Sequence, residues 1–149
     1  EPSQTIRQFG VKLKHSVNRS CIEDKRVILI DDSIVRGTTA SKIVKMVYEA
    51  GAKEVHLGIS CPPIKHPDFY GIDTPNYNEL IASKSNIEEM TELVGAKSLF
   101  FLSLDGTYKA MGYNERNKEL PQFTDHCFTG EYPIDISEIL KINSYNASR

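Results

Sequence analysis

The stretch Val27-Ile28-Leu29-Ile30-Asp31-Asp32-Ser33-Ile34-Val35-Arg36-Gly37-Thr38-Thr39 decides the fold. Its first four residues form a short, mostly β-branched apolar run. Such a run reads as a strand buried on both faces, as in a parallel sheet. Two carboxylates, Asp31 and Asp32, follow at the C-terminal end of the strand, the edge where open α/β folds bind ligands. A hydroxyl-rich turn containing one glycine then leads into a helix. A helix N-terminus offers unpaired N–H groups and the positive end of the helix dipole, which together make an anion site. Ser33, Thr38 and Thr39 add hydroxyl donors, and Gly37 lets the backbone approach closely. The pattern asks for a ligand with two parts: a phosphate seated in residues 36–39, and a diol or metal ion held by the acidic pair. A sugar phosphate has both. Each part alone is weak, since an acidic residue after a strand is common and Thr38-Thr39 would serve as an ordinary N-cap. Neither G-x-x-x-x-G-K-[ST] nor G-x-G-x-x-G occurs, so neither common nucleotide fingerprint is present.

Working outward, a helix is expected over 39–50. Ala40, Ile43, Val44, Val47 and Tyr48 fall on one face, and Lys42, Lys45 and Glu49 face out. Gly51 supplies the stop. A second strand is expected over 55–60, so residues 27–60 form a strand–loop–helix–strand unit with a right-handed crossover. Pro62, Pro63 and Pro67 mark loop. A helical turn over 78–82, a helix over 86–94 ended by Gly95, and a strand over 98–102 follow. Residues 105–126 are weakly patterned, and the polar tail 144–149 is expected to fray. The class is α/β, a parallel sheet flanked by helices.

The 149 residues suffice for one domain with a real core. Basic residues number 18 and acidic residues 20, a net charge of −2, which excludes a polycationic nucleic-acid binder. The longest plainly apolar runs, 27–30 and 99–102, fall far short of the roughly 20 residues of a membrane span. No membrane or nucleic-acid partner is expected. No charged-then-apolar leader opens the chain. Cys21, Cys61 and Cys127 are odd in number and widely spaced, so no disulfide framework is expected and a reducing cytoplasm fits best. Residues 1–26 carry net +3 and the remainder net −5. The basic opening reads as a mobile or extended arm, in which Lys12 and Lys14 alternate so that both side chains lie on one side. The first residue is Glu1, not Met, as in a processed protein or a piece of a longer one. Of the histidines, His15 is expected in solvent and His56 as a satisfied sheet residue. His66 and His126 fall in loops, and no pair has metal-site spacing.

The quoted stretch closely resembles the phosphoribosylpyrophosphate (PRPP) loop of type I phosphoribosyltransferases. The wording Asp-Asp-Ser-Ile-Val-Arg-Gly-Thr-Thr is similar to that of the amidophosphoribosyltransferases. Glu1-Pro2-Ser3-Gln4, Ile6-Arg7 and Gly10-Val11-Lys12-Leu13-Lys14 resemble the family's segment before the loop. Gly71-Ile72-Asp73-Thr74-Pro75, Glu79-Leu80-Ile81-Ala82 and Phe128-Thr129-Gly130-Glu131-Tyr132-Pro133 resemble later stretches.

The resemblance implies a type I phosphoribosyltransferase fold, incomplete on its N-terminal side. Residues 1–26 would be the flexible catalytic loop and its lead-in. Residues 27–143 would be the C-terminal part of the domain with an extension. The family's glutaminase domain is absent from this chain. The implied reaction converts PRPP, glutamine and water to 5-phosphoribosylamine, glutamate and pyrophosphate, the first step of purine synthesis, and this fragment is expected to be inactive alone. Asp31 and Asp32 would hold the ribose hydroxyls and Mg²⁺. Ser33, Arg36, Gly37, Thr38 and Thr39 would complete the PRPP site. Lys12 and Lys14 are candidates on the loop that closes over substrate. Ammonia would come from glutamine through the missing domain, and the intact enzyme is expected to be a homo-oligomer.

One branch of the family holds an iron–sulfur cluster through four cysteines. Three of those positions fall at Asp68, Thr124 and Cys127 here. A [4Fe–4S] cluster wants four thiolates, so no cluster is expected and Cys127 reads as a buried apolar residue. A regulator on the same fold that reads nucleic acid would show a basic face. A salvage transferase would need a base-binding hood. Neither is found in these residues.

Overall fold

The computed structural model describes residues 17–72, 74, 76–137 and 139. Lys12, Lys14, His15, most of the basic opening and the tail 144–149 lie outside them. The described part of the lead-in is not an extended arm. It holds a short helical turn, α1 (Arg19–Ile22), capped by the Asn18 side chain on the Ser20 N–H.

Three parallel strands, β1 (Arg26–Asp31), β2 (Glu54–Ile59) and β3 (Ser98–Phe101), form one sheet in the order β1-β2-β3. Asp31 pairs in register with Ile59, and Leu57 with Leu99. Helix α2 (Thr38–Glu49) connects β1 to β2. The short α3 (Ile81–Lys84) and then α4 (Ile87–Val94) precede β3. The helical period sets the packing: Ala40, Val44 and Val47 of α2 and Met90 and Val94 of α4 join Val55, Leu57, Ile59 and Leu99 in one core. Full burial of a side chain of this size contributes roughly 1.5–3 kcal/mol. Helix α4 begins on a reciprocal capping box between Asn86 and Glu89 and ends at Gly95 in the left-handed region, φ 75°. His56 is satisfied within the sheet, with Nδ1 2.7 Å from Ser98 Oγ.

Strand β1 is not buried on both faces. Val27 and Leu29 pack on the core, but Ile28 and Ile30 are 64 % and 70 % exposed. No layer among the described residues covers that side of the sheet. Phe100 of β3 shares the open face and lies across Gly58 of β2. A Cβ at position 58 would meet the Phe100 ring at 2.5 Å and Ile30 Cδ1 at 2.9 Å.

The stretch after β3 is more regular than its sequence suggests. Ser103 caps α5 (Leu104–Ala110) by accepting from the Gly106 N–H. Tyr108 of α5 is 2 % exposed and donates its hydroxyl to Asp125 Oδ2 at 2.8 Å. Arg116 forks onto both oxygens of Asp125 and reaches Glu131 Oε2 at 2.6 Å. Both members of the Arg116–Asp125 pair are nearly out of solvent, so neither charge is dispensable once the other is present. His126 lies in no loop: it opens the short helix α6 (His126–Thr129) and is buried. No helix among the described residues is long and apolar enough to cross a membrane.

Burial pushes the Asp125 carboxyl up, but hydrogen bonds from Arg116 and Tyr108 pull it further the other way, below the usual carboxylate range. A carboxyl depressed in this way contributes stability that is complete above its unfolded pKa, near 4, and is lost as pH falls toward the folded value. Urea midpoints measured from pH 7 to pH 3 should therefore fall below about pH 4, and fall less in Asp125→Asn; parallel curves would refute the assignment. Asp125→Ala, which strands the Arg116 charge, is expected to cost about 3–5 kcal/mol at pH 7.

Candidate functional site

Strand β1 ends at Asp31, and its end is pinned by the residue after β2. The Ser60 N–H and hydroxyl both donate to the Asp31 carbonyl, at 2.9 and 3.1 Å. The Asp31 carboxylate accepts from the Asp32 N–H at 3.0 Å. Residues 31–40 then line a cavity of about 300 Å³. All the site residues read from the sequence within 31–39 face this one cavity: Asp31, Asp32, Ser33, Arg36, Gly37, Thr38 and Thr39. Asp32, Arg36, Thr38 and Thr39 are exposed, Asp31 and Ser33 half-buried, and Gly37 buried.

Among the described residues, no acceptor takes any backbone N–H from Ser33 through Ala40. Buried or half-buried amides are nearly always paired, so such a run is a concentrated source of unspent donors. Gly37 is the N-cap of α2, at φ 75°, and no side chain caps the helix. The left-handed region is open to glycine at little cost. The helix thus presents bare first-turn amides and its positive end to the cavity, the arrangement that suits phosphate.

The loop is held from behind by a segment that sequence reading gave no role. The Ile81 N–H donates to the Val35 carbonyl at 2.9 Å. The Ile81 side chain backs Gly37, where a Cβ would stand 3.1 Å from Ile81 Cδ1. Glu79 accepts from Arg36 Nε at 2.6 Å. These contacts join residues more than forty positions apart, and no local pattern announces them.

Among the described residues, Asp31 and Asp32 are the acidic side chains that line the cavity. Their oxygens are hard donors, which suits Mg²⁺ that keeps waters and shares substrate oxygens. Two carboxylates do not enclose an ion, and among the described residues no group of three or more His, Cys, Asp or Glu side chains is placed to hold one.

The second place of interest is around Asp68. Its carboxylate accepts from the Tyr70 and Ile72 N–H groups at 2.7 and 3.0 Å, and from His126 Nε2 at 2.7 Å. Burial pushes Asp68 up, but these donors pull it below the usual carboxylate range. Thr124 is exposed, and Cys127 is half-buried where a buried residue is expected. The Cys127 carbonyl accepts from the Lys65 and His66 N–H groups. Burial, with Cys127 and Asp32 nearby, pushes the Cys61 thiol up to about 11, so it is protonated at neutral pH. A committed carboxylate, a surface hydroxyl and one thiol do not fit an iron–sulfur cluster.

No family model matches the chain. It is 60 % identical to an amidophosphoribosyltransferase of Rhizobium etli over 134 residues, covering 89 % of this chain and 27 % of the relative. It is 52 % identical to the chloroplastic amidophosphoribosyltransferase 1 of Arabidopsis thaliana, over 93 % of this chain and 24 % of the relative. The enzyme of Bacillus subtilis is 51 % identical over 91 % of this chain and 28 % of its own length. The chain thus spans about a quarter of the length of the curated relatives it matches. A solved glutamine PRPP amidotransferase from B. subtilis, complexed with ADP and GMP, superposes with a TM-score of 0.78 at 49 % identity, over 93 % of this chain and 30 % of that one. A solved allosteric regulatory enzyme of purine biosynthesis gives 0.73 at 46 % identity, over the same shares. High identity along nearly all of its residues and close superposition on a solved member place this chain among the amidophosphoribosyltransferases, as a segment of their type I phosphoribosyltransferase fold.

Proposed function

We propose that the full-length enzyme carrying this segment converts PRPP, glutamine and water to 5-phosphoribosylamine, glutamate and pyrophosphate, and that residues 31–39 bind PRPP. The observation that carries this reading is the run of unpaired amides from 33 to 40 beside two carboxylates at one sheet edge. The amides and the Arg36, Thr38 and Thr39 side chains take the 5′-phosphate. Asp31 and Asp32 accept from the ribose hydroxyls and orient the ring. Ammonia released from glutamine elsewhere in the enzyme forms a bond to C1 as the C1–pyrophosphate bond breaks. Carboxylates near the ribose offset positive charge growing at C1. Asp31 and Asp32 would hold Mg²⁺ together with the substrate, and its charge would offset that of the departing pyrophosphate.

Residues 1–26 hold the loop that closes over bound PRPP together with its lead-in, with Lys12 and Lys14 as candidates on that loop. Closure of this kind keeps water from a reactive carbon. We propose a cytoplasmic homo-oligomer, since most oligomers are assembled from identical chains.

Isothermal titration of the full-length enzyme with PRPP and Mg²⁺ tests the site. Each charge-assisted hydrogen bond contributes roughly 1.5–3 kcal/mol, so Asp31→Asn/Asp32→Asn should weaken binding at least tenfold and lower turnover. Unchanged affinity and turnover would remove the acidic pair from the mechanism. Gly37→Ala forces a side chain into the left-handed region at a cost of about 1–2 kcal/mol and presses on Ile81. It should weaken PRPP binding about tenfold while leaving the thermal midpoint within a few degrees.

A further inference from the structure

Arg36 is the one long, flexible side chain among the phosphate-loop residues, and about half of it is exposed. Its reach makes it useful for an anion, and its rotamer freedom is what binding must remove. In the structure it is already held. Arg36 Nε donates to Glu79 Oε2 at 2.6 Å, and among the described residues no acceptor takes its terminal Nη groups. A carboxylate that gripped the guanidinium through the Nη fork would compete with phosphate for the same donors. This carboxylate takes the Nε edge and leaves both Nη groups.

Glu79 stands on fixed ground. It ends a 3-10 turn, Tyr77–Glu79, capped by Asn76 Oδ1 on the Asn78 N–H at 3.0 Å. Ser83 Oγ donates to the Tyr77 carbonyl at 2.7 Å, and the Tyr77 hydroxyl lies 3.0 Å from His66 Nδ1. The next residue, Leu80, is fully buried. Two residues beyond Glu79, Ile81 carries both the hydrogen bond to Val35 and the apolar contact with Gly37. The segment 79–81 therefore meets the loop 35–37 through side-chain charge, backbone and packing together. An exposed ion pair in isolation does little for stability, so fold stability does not account for a pair on such a rigid mount.

We propose that Glu79 is a positioning residue for PRPP: it holds Arg36 by its Nε so that the Nη groups face the 5′-phosphate before substrate arrives. The proposal rests on the reading of residues 31–39 as the PRPP loop. Glu79 touches no substrate atom. Its own negative charge faces a phosphate dianion at one remove, so the acceptor oxygen, not the charge, is the useful part. Glu79→Gln retains an oxygen for Nε and drops the charge; Glu79→Ala retains neither.

The test is steady-state kinetics of the full-length enzyme with PRPP varied at saturating glutamine, on wild type, Glu79→Ala, Glu79→Gln, Arg36→Ala and the Glu79→Ala/Arg36→Ala double variant. Glu79→Ala should raise KM for PRPP three- to tenfold with kcat within twofold of wild type. Glu79→Gln should restore KM to within twofold. Arg36→Ala should raise KM at least as much, and adding Glu79→Ala to it should change KM less than twofold, because the two act through one contact. An unchanged or lowered KM in Glu79→Ala, with KM raised in Arg36→Ala, overturns the positioning role and leaves the PRPP loop standing. Multiplying effects in the double variant, or a Glu79→Gln as impaired as Glu79→Ala, also overturn it. If Arg36→Ala and the Asp31→Asn/Asp32→Asn variant both keep wild-type PRPP kinetics, the PRPP-loop reading itself falls.

Discussion

A loop whose amides from 33 to 40 make no hydrogen bond to any described residue cannot stabilise itself, and this demand shapes what surrounds it. Regular structure normally holds a chain through the very groups this loop withholds. Here the holding passes to the loop's carbonyls, its buried apolar side chains and its neighbours. Ile34 is driven into the core, the Val35 and Asp31 carbonyls accept from Ile81 and Ser60, and Gly37 turns against Ile81. The parallel pairing of β1 with β2 is part of the same device. It sets Asp31 opposite Ile59, so that Ser60, one residue on, reaches the carbonyl at the strand's end.

What could be read from the sequence was what local chemistry decides. The β-branched run, the helix period of Val44 and Val47, the stop at Gly95 and the donor-rich turn at 36–39 each report a short-range preference, and the structure places strand, helices and loop within a residue or two of where these preferences put them. The candidate site residues from 31 to 39 were legible because they are contiguous, and they line one cavity. Lys12 and Lys14 lie outside the described residues. The shortfall is long-range. An apolar strand does not say how many layers cover it, so the exposure of Ile28 and Ile30 could not be seen. Residues 105–126 are weakly patterned in sequence because their order comes from Tyr108, Arg116 and Asp125 meeting across intervening loops. Glu79, Ser60 and Ile81 reach the site only in three dimensions.

The C-terminal stretch shows a second principle: charge taken inside is used to fasten loops. Asp68 joins the loop over 68–72 to α6 through His126, and Asp125 joins Arg116, Tyr108 and Thr129. Each carboxylate collects several donors, which is the condition under which burial of a charge is tolerated. Asp68 and Cys127, two positions at which the resemblance implies cluster thiolates in one branch of the family, lie in these same two regions. In this chain the Asp68–His126 contact spans those regions with ordinary side chains, and Tyr132 adds a hydrogen bond to the Pro67 carbonyl at 2.8 Å.

The seating of Phe100 over Gly58 carries an evolutionary consequence. The two residues are paired in register, and the ring fills the space a side chain at 58 would need. Neither position is free to drift alone. A lineage that acquires alanine or valine at 58 must swing the ring aside or trade it for something smaller, and must move the tip of Ile30 as well, while one that loses the ring opens a furrow across the sheet that a larger residue at 58 can fill. Across many descendants the two sites should therefore change hands as a pair, a linked inheritance that neither residue's chemistry would disclose by itself.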